Sequence, residues 1–327
     1  MGAIIGRVDQ LFCQYIYPVA FCPYTKCLLT LVQTHNGSQL FAWDTQTHAY
    51  NQLLWSEYTP VSISLIPGGI GFSFIDNGLI KVKQYLKKSA KTVLLELPIE
   101  HITQIHWLDN QTFYAHGYYH NRYCIVRITT DGNVTFLKKD THVDYTYPQK
   151  VGDLLFYIQH AHASNTYEVC YTGYKNPSYQ ENIFSLSDVQ PLFLHMQSET
   201  EGFFVSKDEM QVGKCQNERF RCFRFWKNET SWTYNWLFDF ELPRELLVGE
   251  YRLYESLLPL LPYYNGDHIF FLSLVNHTFL SLYKYTISTQ KTDWCFSYEN
   301  QHVIGMVMDE IDGIPILYCG KGEIIKI

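Results

Sequence analysis

The run Val61-Ser62-Ile63-Ser64-Leu65-Ile66, then Pro67-Gly68, then Gly69-Ile70-Gly71-Phe72-Ser73-Phe74-Ile75, then Asp76-Asn77-Gly78, then Leu79-Ile80-Lys81-Val82-Lys83-Gln84-Tyr85 decides the fold. Its apolar residues alternate or run without a break, and they do not return at three and four positions, so the stretch reads as strands. Pro-Gly and Asn-Gly between apolar runs are hairpin signals, Asn-Gly the stronger because both of its residues tolerate positive φ. Thr92 to Leu97 supplies a fourth strand and completes one antiparallel unit of four.

The same pattern returns along the chain. Units open at Val19, Val61, Ile102, Val143, Val189, Leu257 and Val303, at separations of 42, 41, 41, 46, 68 and 46 residues. The third reads as Ile102–Trp107, Thr112–Gly117, Tyr123–Thr129 and Val134–Lys138, and the fourth as Val143–Tyr147, Leu154–Gln159, Thr166–Tyr171 and Asn182–Leu186. A period of about 40 to 50 residues built from short strands is the signature of a β-propeller, one four-stranded sheet to a blade. The expected fold is therefore all-β, a seven-bladed propeller occupying residues 1–327 as one domain. The last unit has three strands, Val303–Met308, Ile314–Cys319 and Glu323–Ile327, so Ala3–Ile5 is expected to complete it as the outermost strand. The long fifth unit is expected to carry an insertion at about 228–252, with Pro243-Arg244-Glu245-Leu246-Leu247 as a helical turn, the alternative being an extra strand or a disordered excursion that covers a hydrophobic edge.

In the first unit, Gln39–Trp43 runs into Asp44, followed by Thr45-Gln46-Thr47 and then Trp55; here the chain resembles the WD-repeat propellers. Leu282–Thr286, Ser288-Thr289-Gln290 and Trp294 echo it in the sixth unit. The Trp-Asp pair occurs once and the family's usual Gly-His pair is missing, so the resemblance implies blade size and shape and carries over no partner.

Composition narrows the function classes. A net charge of -7 disfavours nucleic acid or an anionic membrane as the main partner, because both select clustered positive charge. The one basic and aromatic run, Arg219 to Lys227, reads as a strand whose arginines pair with neighbouring acids. Aromatic residues make up 17% of the chain, which suits half-buried pleated surfaces. Nine cysteines lie in or beside apolar runs, without a C-x-x-C, and fit small buried side chains in a reducing compartment. Arg7, Asp9, Gln14 and Pro18 interrupt any signal-peptide core, and Pro67-Gly68-Gly69 interrupts the best membrane-spanning candidate. The expectation is a soluble, cytoplasmic protein without membrane insertion.

No G-x-S-x-G, H-E-x-x-H, P-loop or G-x-G-x-x-G occurs. His116 with His120, and His160 with His162, have metal-ligand spacings, but spacing assigns neither pair a third ligand, so no metal and no cofactor are expected. The expected role is a non-catalytic platform for one or more protein partners, or a subunit of a larger assembly; the alternative is an enzyme or a small-ligand binder, of sugars for instance, using the central channel. In WD-like blades the loops from an outer strand to the next inner strand, and from the second strand to the third, open on one side. Those loops would carry His35, Tyr58, His101, Tyr118, Tyr119, His120, Arg122, His142, His160, His162, Arg252, Tyr254, His277 and His302, a mix of aromatic, Arg and His side chains suited to protein recognition.

Overall fold

The computed structural model describes residues 3–7, 15–22, 27–34, 37–44, 47, 50–56, 60–66, 69–76, 79–86, 89–95, 101–109, 111–187, 189–207, 217–243, 261–275, 279–297, 303–309, 312–319 and 323–327. Every regular element among them is a strand. After β1 (Ala3–Arg7) come β2 (Tyr15–Cys22), β3 (Cys27–Thr34), β4 (Gly37–Asp44) and β5 (Tyr50–Ser56). Then follow β6 (Pro60–Ile66), β7 (Gly69–Asp76), β8 (Leu79–Leu86) and β9 (Ser89–Leu95). The third group is β10 (His101–Trp107), β11 (Thr112–Tyr119), β12 (Arg122–Thr129) and β13 (Val134–Lys138). The fourth is β14 (Val143–Val151), β15 (Leu154–Ala161), β16 (Thr166–Gly173) and β17 (Gln180–Leu186). The fifth is β18 (Pro191–Ser198), β19 (Glu201–Lys207), β20 (Asn217–Lys227) and β21 (Trp232–Pro243). The sixth is β22 (Tyr263–Asn265), β23 (His268–Val275), β24 (Phe279–Thr286) and β25 (Lys291–Phe296), and β26 (Val303–Asp309), β27 (Ile314–Cys319) and β28 (Glu323–Lys326) end the chain.

Each group of four forms its own antiparallel sheet in chain order, and the last three strands join β1 in the order β1-β28-β27-β26. The N-terminal strand thus pairs with the C-terminal one, Ala3 opposite Lys326 and Arg7 opposite Glu323. The chain divides into two compact units, Met1–Leu95 with Glu241–Ile327, and Glu96–Phe240.

The fifth repeat differs from the sequence-based expectation in one respect and agrees with it in another. Residues 228–243 are not an insertion: they form the turn after β20 and then β21, the sheet's fourth strand, because Trp232, Leu237, Phe238, Phe240 and Leu242 bury enough apolar surface to hold a strand. Pro243 closes that strand, and the rest of the expected helical turn and insertion lies outside the described residues, as does Leu257. The Arg219–Lys227 run is part of β20, a strand as expected, and two of its arginines pair with acids of the same sheet. Arg219 pairs with Asp239, Arg224 Nε lies 2.7 Å from Glu201 Oε1, and Lys207 Nζ lies 2.9 Å from Glu218 Oε2.

A detail invisible to periodicity recurs in the first strands. In β2, β6, β10, β14, β18 and β26 the pairing with the next strand slips, between Pro18 and Ala20 in β2 and between Pro60 and Ser62 in β6, for example. A slip of this kind is a bulge, which bends the strand and increases its twist. Val19 and Val61, the sequence-level start points, are themselves the extra residues.

Within the unit Glu96–Phe240 the sheets pack face to face. Phe156 and Ile158 of β15 turn to one side, where Leu194, Met196, Phe204 and Phe225 of the fifth sheet meet them. Leu155 and Tyr157 turn to the other, against Ile125 and Leu137 of the third sheet. Gln149 adds a polar clasp, its Oε1 accepting the Met196 N–H at 2.5 Å and its Nε2 donating to the Met196 carbonyl at 3.3 Å.

In the other unit, Asp309 helps form the turn after β26, its carbonyl accepting the Gly313 N–H at 2.7 Å where Gly313 takes φ 65°. It is also 3% exposed and 2.7 Å from Lys326 Nζ, which reaches Asp312 at 2.6 Å. Burial works against the Lys326 ammonium, yet its hydrogen bonds to Asp309 and Asp312 lift its pKa above the ordinary lysine value.

Two stability outcomes follow from these contacts. Lys326→Met removes the cation beside the buried Asp309 carboxylate and is expected to cost about 3 kcal/mol in urea unfolding, against less than about 1 kcal/mol for the exposed pair partner Lys175→Met. Gly202→Ala places a Cβ 2.6 Å from Phe225 Cζ and 2.8 Å from the His195 carbonyl, which is backbone and cannot yield; a loss of about 1–3 kcal/mol is expected in the same measurement.

Candidate functional site

The β11–β12 hairpin closes through two residues. Tyr119 pairs with Arg122, which leaves His120 and Asn121 as the turn, at φ 49° and 62°. Positive φ at both positions is the turn whose twist matches the flanking strands, and Asn and His are among the side chains found there. Tyr118, Tyr119 and Arg122, expected in a loop, are therefore strand ends. Tyr119 stacks on exposed His120 at 4.1 Å and packs on Phe136 at 4.9 Å, with Lys139 Nζ 4.3 Å above the Phe136 ring. Tyr118 meets Tyr123 edge-on at 4.1 Å.

The connection from β13 to β14 lies against this hairpin. Arg122 Nε donates to the Thr141 carbonyl at 3.0 Å, and Asp140 Oδ1 accepts the His142 N–H at 2.7 Å. The β15–β16 hairpin joins them through four residues, since Ala161 pairs with Thr166 and Asn165 takes φ 48°. The His162 N–H donates to the His142 carbonyl at 3.3 Å. His160, still in β15, stacks on Tyr167 at 4.1 Å and lies 4.5 Å from the His162 ring.

Asp144, which spacing does not single out, sits at the centre. It lies on β14 directly opposite His160 of β15. Its Oδ1 accepts the Tyr123 N–H at 2.9 Å and its Oδ2 lies 2.7 Å from His162 Nε2. One ligand atom each from Asp144, His160 and His162 fall within 4.8 Å of one another. The third ligand for the His160/His162 pair thus comes from strand register, which sets Asp144 opposite His160, while the β15–β16 turn brings His162 to the same carboxylate.

Of the expected rim, Tyr118, Tyr119, His120, Arg122, His142, His160 and His162 meet on this one edge of the unit Glu96–Phe240. His101 begins β10, and nothing of its side chain is described; His35, Tyr58, Arg252, Tyr254, His277 and His302 lie outside the described residues. His116 is not a companion of His120. It is 5% exposed inside β11, its ring 4.9 Å from Tyr123.

Two imidazoles behind the edge are held neutral by burial. His106, stacked on Tyr114 at 4.8 Å with its Nε2 buried, is pushed down to about 4. His116 is pushed down to about 3, by burial first and by the charge of a protonated His106 second.

The sheets, their sequential antiparallel order and the absence of helices among the described residues define a protein of β-propeller fold, similar at the level of fold to the WD-repeat propellers. The Swd1 β-propeller domain of Myceliophteria thermophila superposes with a TM-score of 0.62 at 11% identity, over 100% of both chains. The β-propeller domain of the trilobed protease from Pyrococcus furiosus, which has an open velcro topology, gives 0.59 at 9%, over 96% of this chain and 94% of that one. A puromycin-hydrolyzing peptidase of Mycobacterium tuberculosis gives 0.62 at 11%; 97% of this chain is matched, but only 52% of the peptidase. At such identities the likeness is one of fold. No family model matches the chain, and no curated protein does.

The buried histidines set a pH dependence. Folded values near 4 and 3 against about 6.5 unfolded mean that the unfolded chain takes up protons first, so stability is full above pH 6.5 and is lost as the pH falls toward the folded values. At pH 5 the loss is about 2 kcal/mol per histidine. Thermal unfolding should show Tm falling between pH 7 and pH 5, and His106→Phe, which keeps the stacked ring, should remove about half of that fall.

Proposed function

We propose that the chain is a single seven-bladed β-propeller over residues 1–327, closed by β1 as the outermost strand of the last blade, and that it acts as a non-catalytic platform for a protein partner. Seven four-stranded sheets and the β1–β28 pairing support the closed ring. The observation that carries the platform reading is the edge at His120, Arg122, His142 and His162, where two hairpin tips and an inter-sheet connection are tied together by hydrogen bonds while presenting aromatic, basic and imidazole groups. A preorganised surface of this kind loses little entropy on binding, and Tyr and Arg supply most of the energy at such contacts.

The reading assigns the protein to a reducing compartment, the cytoplasm. Cys124, Cys170 and Cys222 support this as buried thiols that pack like small apolar side chains, with burial lifting each above the ordinary thiol value. A net charge of -7 and the internal pairing of β20's basic residues favour a protein over nucleic acid.

Cross-linking from a photoreactive residue at position 120, with position 175 on a distant exposed turn as control, tests the reading. The cross-linked protein should then bind purified wild-type chain at least about tenfold more tightly than Tyr119→Ala/His120→Ala, a loss of about 1–2 kcal/mol. Equal cross-linking at both positions, or equal affinity, refutes it.

A further inference from the structure

We propose that Asp144, His160 and His162 form a binding site for one divalent transition-metal ion of the zinc class. Three donors from two strands and the turn between β15 and β16 already lie within 4.8 Å of one another. Two imidazoles and one carboxylate are the donor set that such ions select, whereas magnesium and calcium prefer oxygen alone.

The surroundings hold these donors in place. Asp144 is anchored through Oδ1 by the Tyr123 N–H, which leaves Oδ2 turned toward His162 Nε2 at 2.7 Å. His160 is fixed by its stack on Tyr167, and Asn165 Oδ1 lies 3.1 Å from its Nε2, an uncharged oxygen beside the ligand cluster. Outer groups of this sort orient ligands and raise metal affinity about 10- to 100-fold. Asp144 is 15% exposed at its side chain and His162 37%, so the carboxylate is partly shielded while the ion has a path from solvent and room for water at its remaining positions.

Binding would replace a proton contact by a metal. The hydrogen bond between His162 Nε2 and Asp144 Oδ2 opens and Nε2 gives up its proton, which goes to solvent from an imidazolium, or is exchanged through solvent for one on Nδ1 in a neutral ring; the freed Nε2 lone pair and Asp144 Oδ2 then turn to the ion. Because the ligands come from β14, β15 and the β15–β16 turn, the ion would pin the tip of that hairpin to the inner strand. This assignment does not depend on a protein partner, and the partner experiment does not test it.

Titration of the metal-free full chain with zinc chloride alone, followed by calorimetry and by thermal unfolding, decides the matter. Wild type is expected to take up one equivalent and to unfold at a higher temperature with zinc present. Asp144→Asn keeps both histidines and the Tyr123 contact geometry, and His162→Gln is a change at an exposed turn; each should weaken binding at least about tenfold. With cobalt(II) as probe, wild type should give the visible absorption of a nitrogen- and oxygen-ligated tetrahedral or five-coordinate ion, lost in His160→Ala. Absence of uptake by wild type overturns the site. Unchanged affinity in Asp144→Asn overturns it too, since the histidines alone would then account for binding.

Discussion

Strand β15 buries both of its faces, and the unit Glu96–Phe240 depends on that. A lone antiparallel sheet usually hides one face and wets the other, which gives strict alternation of apolar and polar residues. Here Leu155 and Tyr157 meet the third sheet while Phe156 and Ile158 meet the fifth, and all four are 1% exposed or less. Each such side chain is worth about 1.5–3 kcal/mol of burial, and none of it is available to an isolated sheet of four short strands. Neighbouring repeats therefore stabilise one another, as in other repeat architectures where a unit cannot bury its own faces.

That constraint explains where polar groups are allowed. Within the sheets some are paired at short range, as Gln149 is by the backbone of Met196, or Arg224 by Glu201. Where the hairpins run past the packed region, the rings and charges of Tyr119, His120, Arg122, Lys139 and His162 collect instead. The backbone beneath them stays rigid because carbonyls of Thr141 and His142 accept hydrogen bonds from the adjoining hairpins. Rigidity and exposed polar groups thus arise at one edge from the same cause: the sheets end there, but their register continues to the last residue.

The chain's two ends belong to one sheet, with β1 supplying the outer strand beside β28. An unpaired outer edge on β28 would be a template for other strands, and β1 covers it. Lys326 lies on the pairing strand opposite Ala3 and at the same time neutralises buried Asp309, so the last strand is fastened by charge on one side and by backbone pairing on the other.

The sequence by itself determined the strands, their grouping by four, the repeat period and the N-terminal strand's place beside the last three, because alternation, Asn-Gly turns and spacing are local signals. It placed β6–β8 and β10–β13 to within a residue or two at most of their ends, and it singled out His160 and His162 as a pair, though His162 lies in the turn after β15 and not on the strand. It left residues 228–243 open between an insertion and an extra strand, because their aromatic density signals a packed strand only once the sheet that receives it is known. Tertiary structure alone decided the bulges of the first strands, the neutrality of His106 and His116, and the arrival of Asp144 opposite His160. Spacing along one strand cannot reveal a ligand on the next, since cross-strand register is set by the hairpin's closure and by which faces the neighbouring sheets bury.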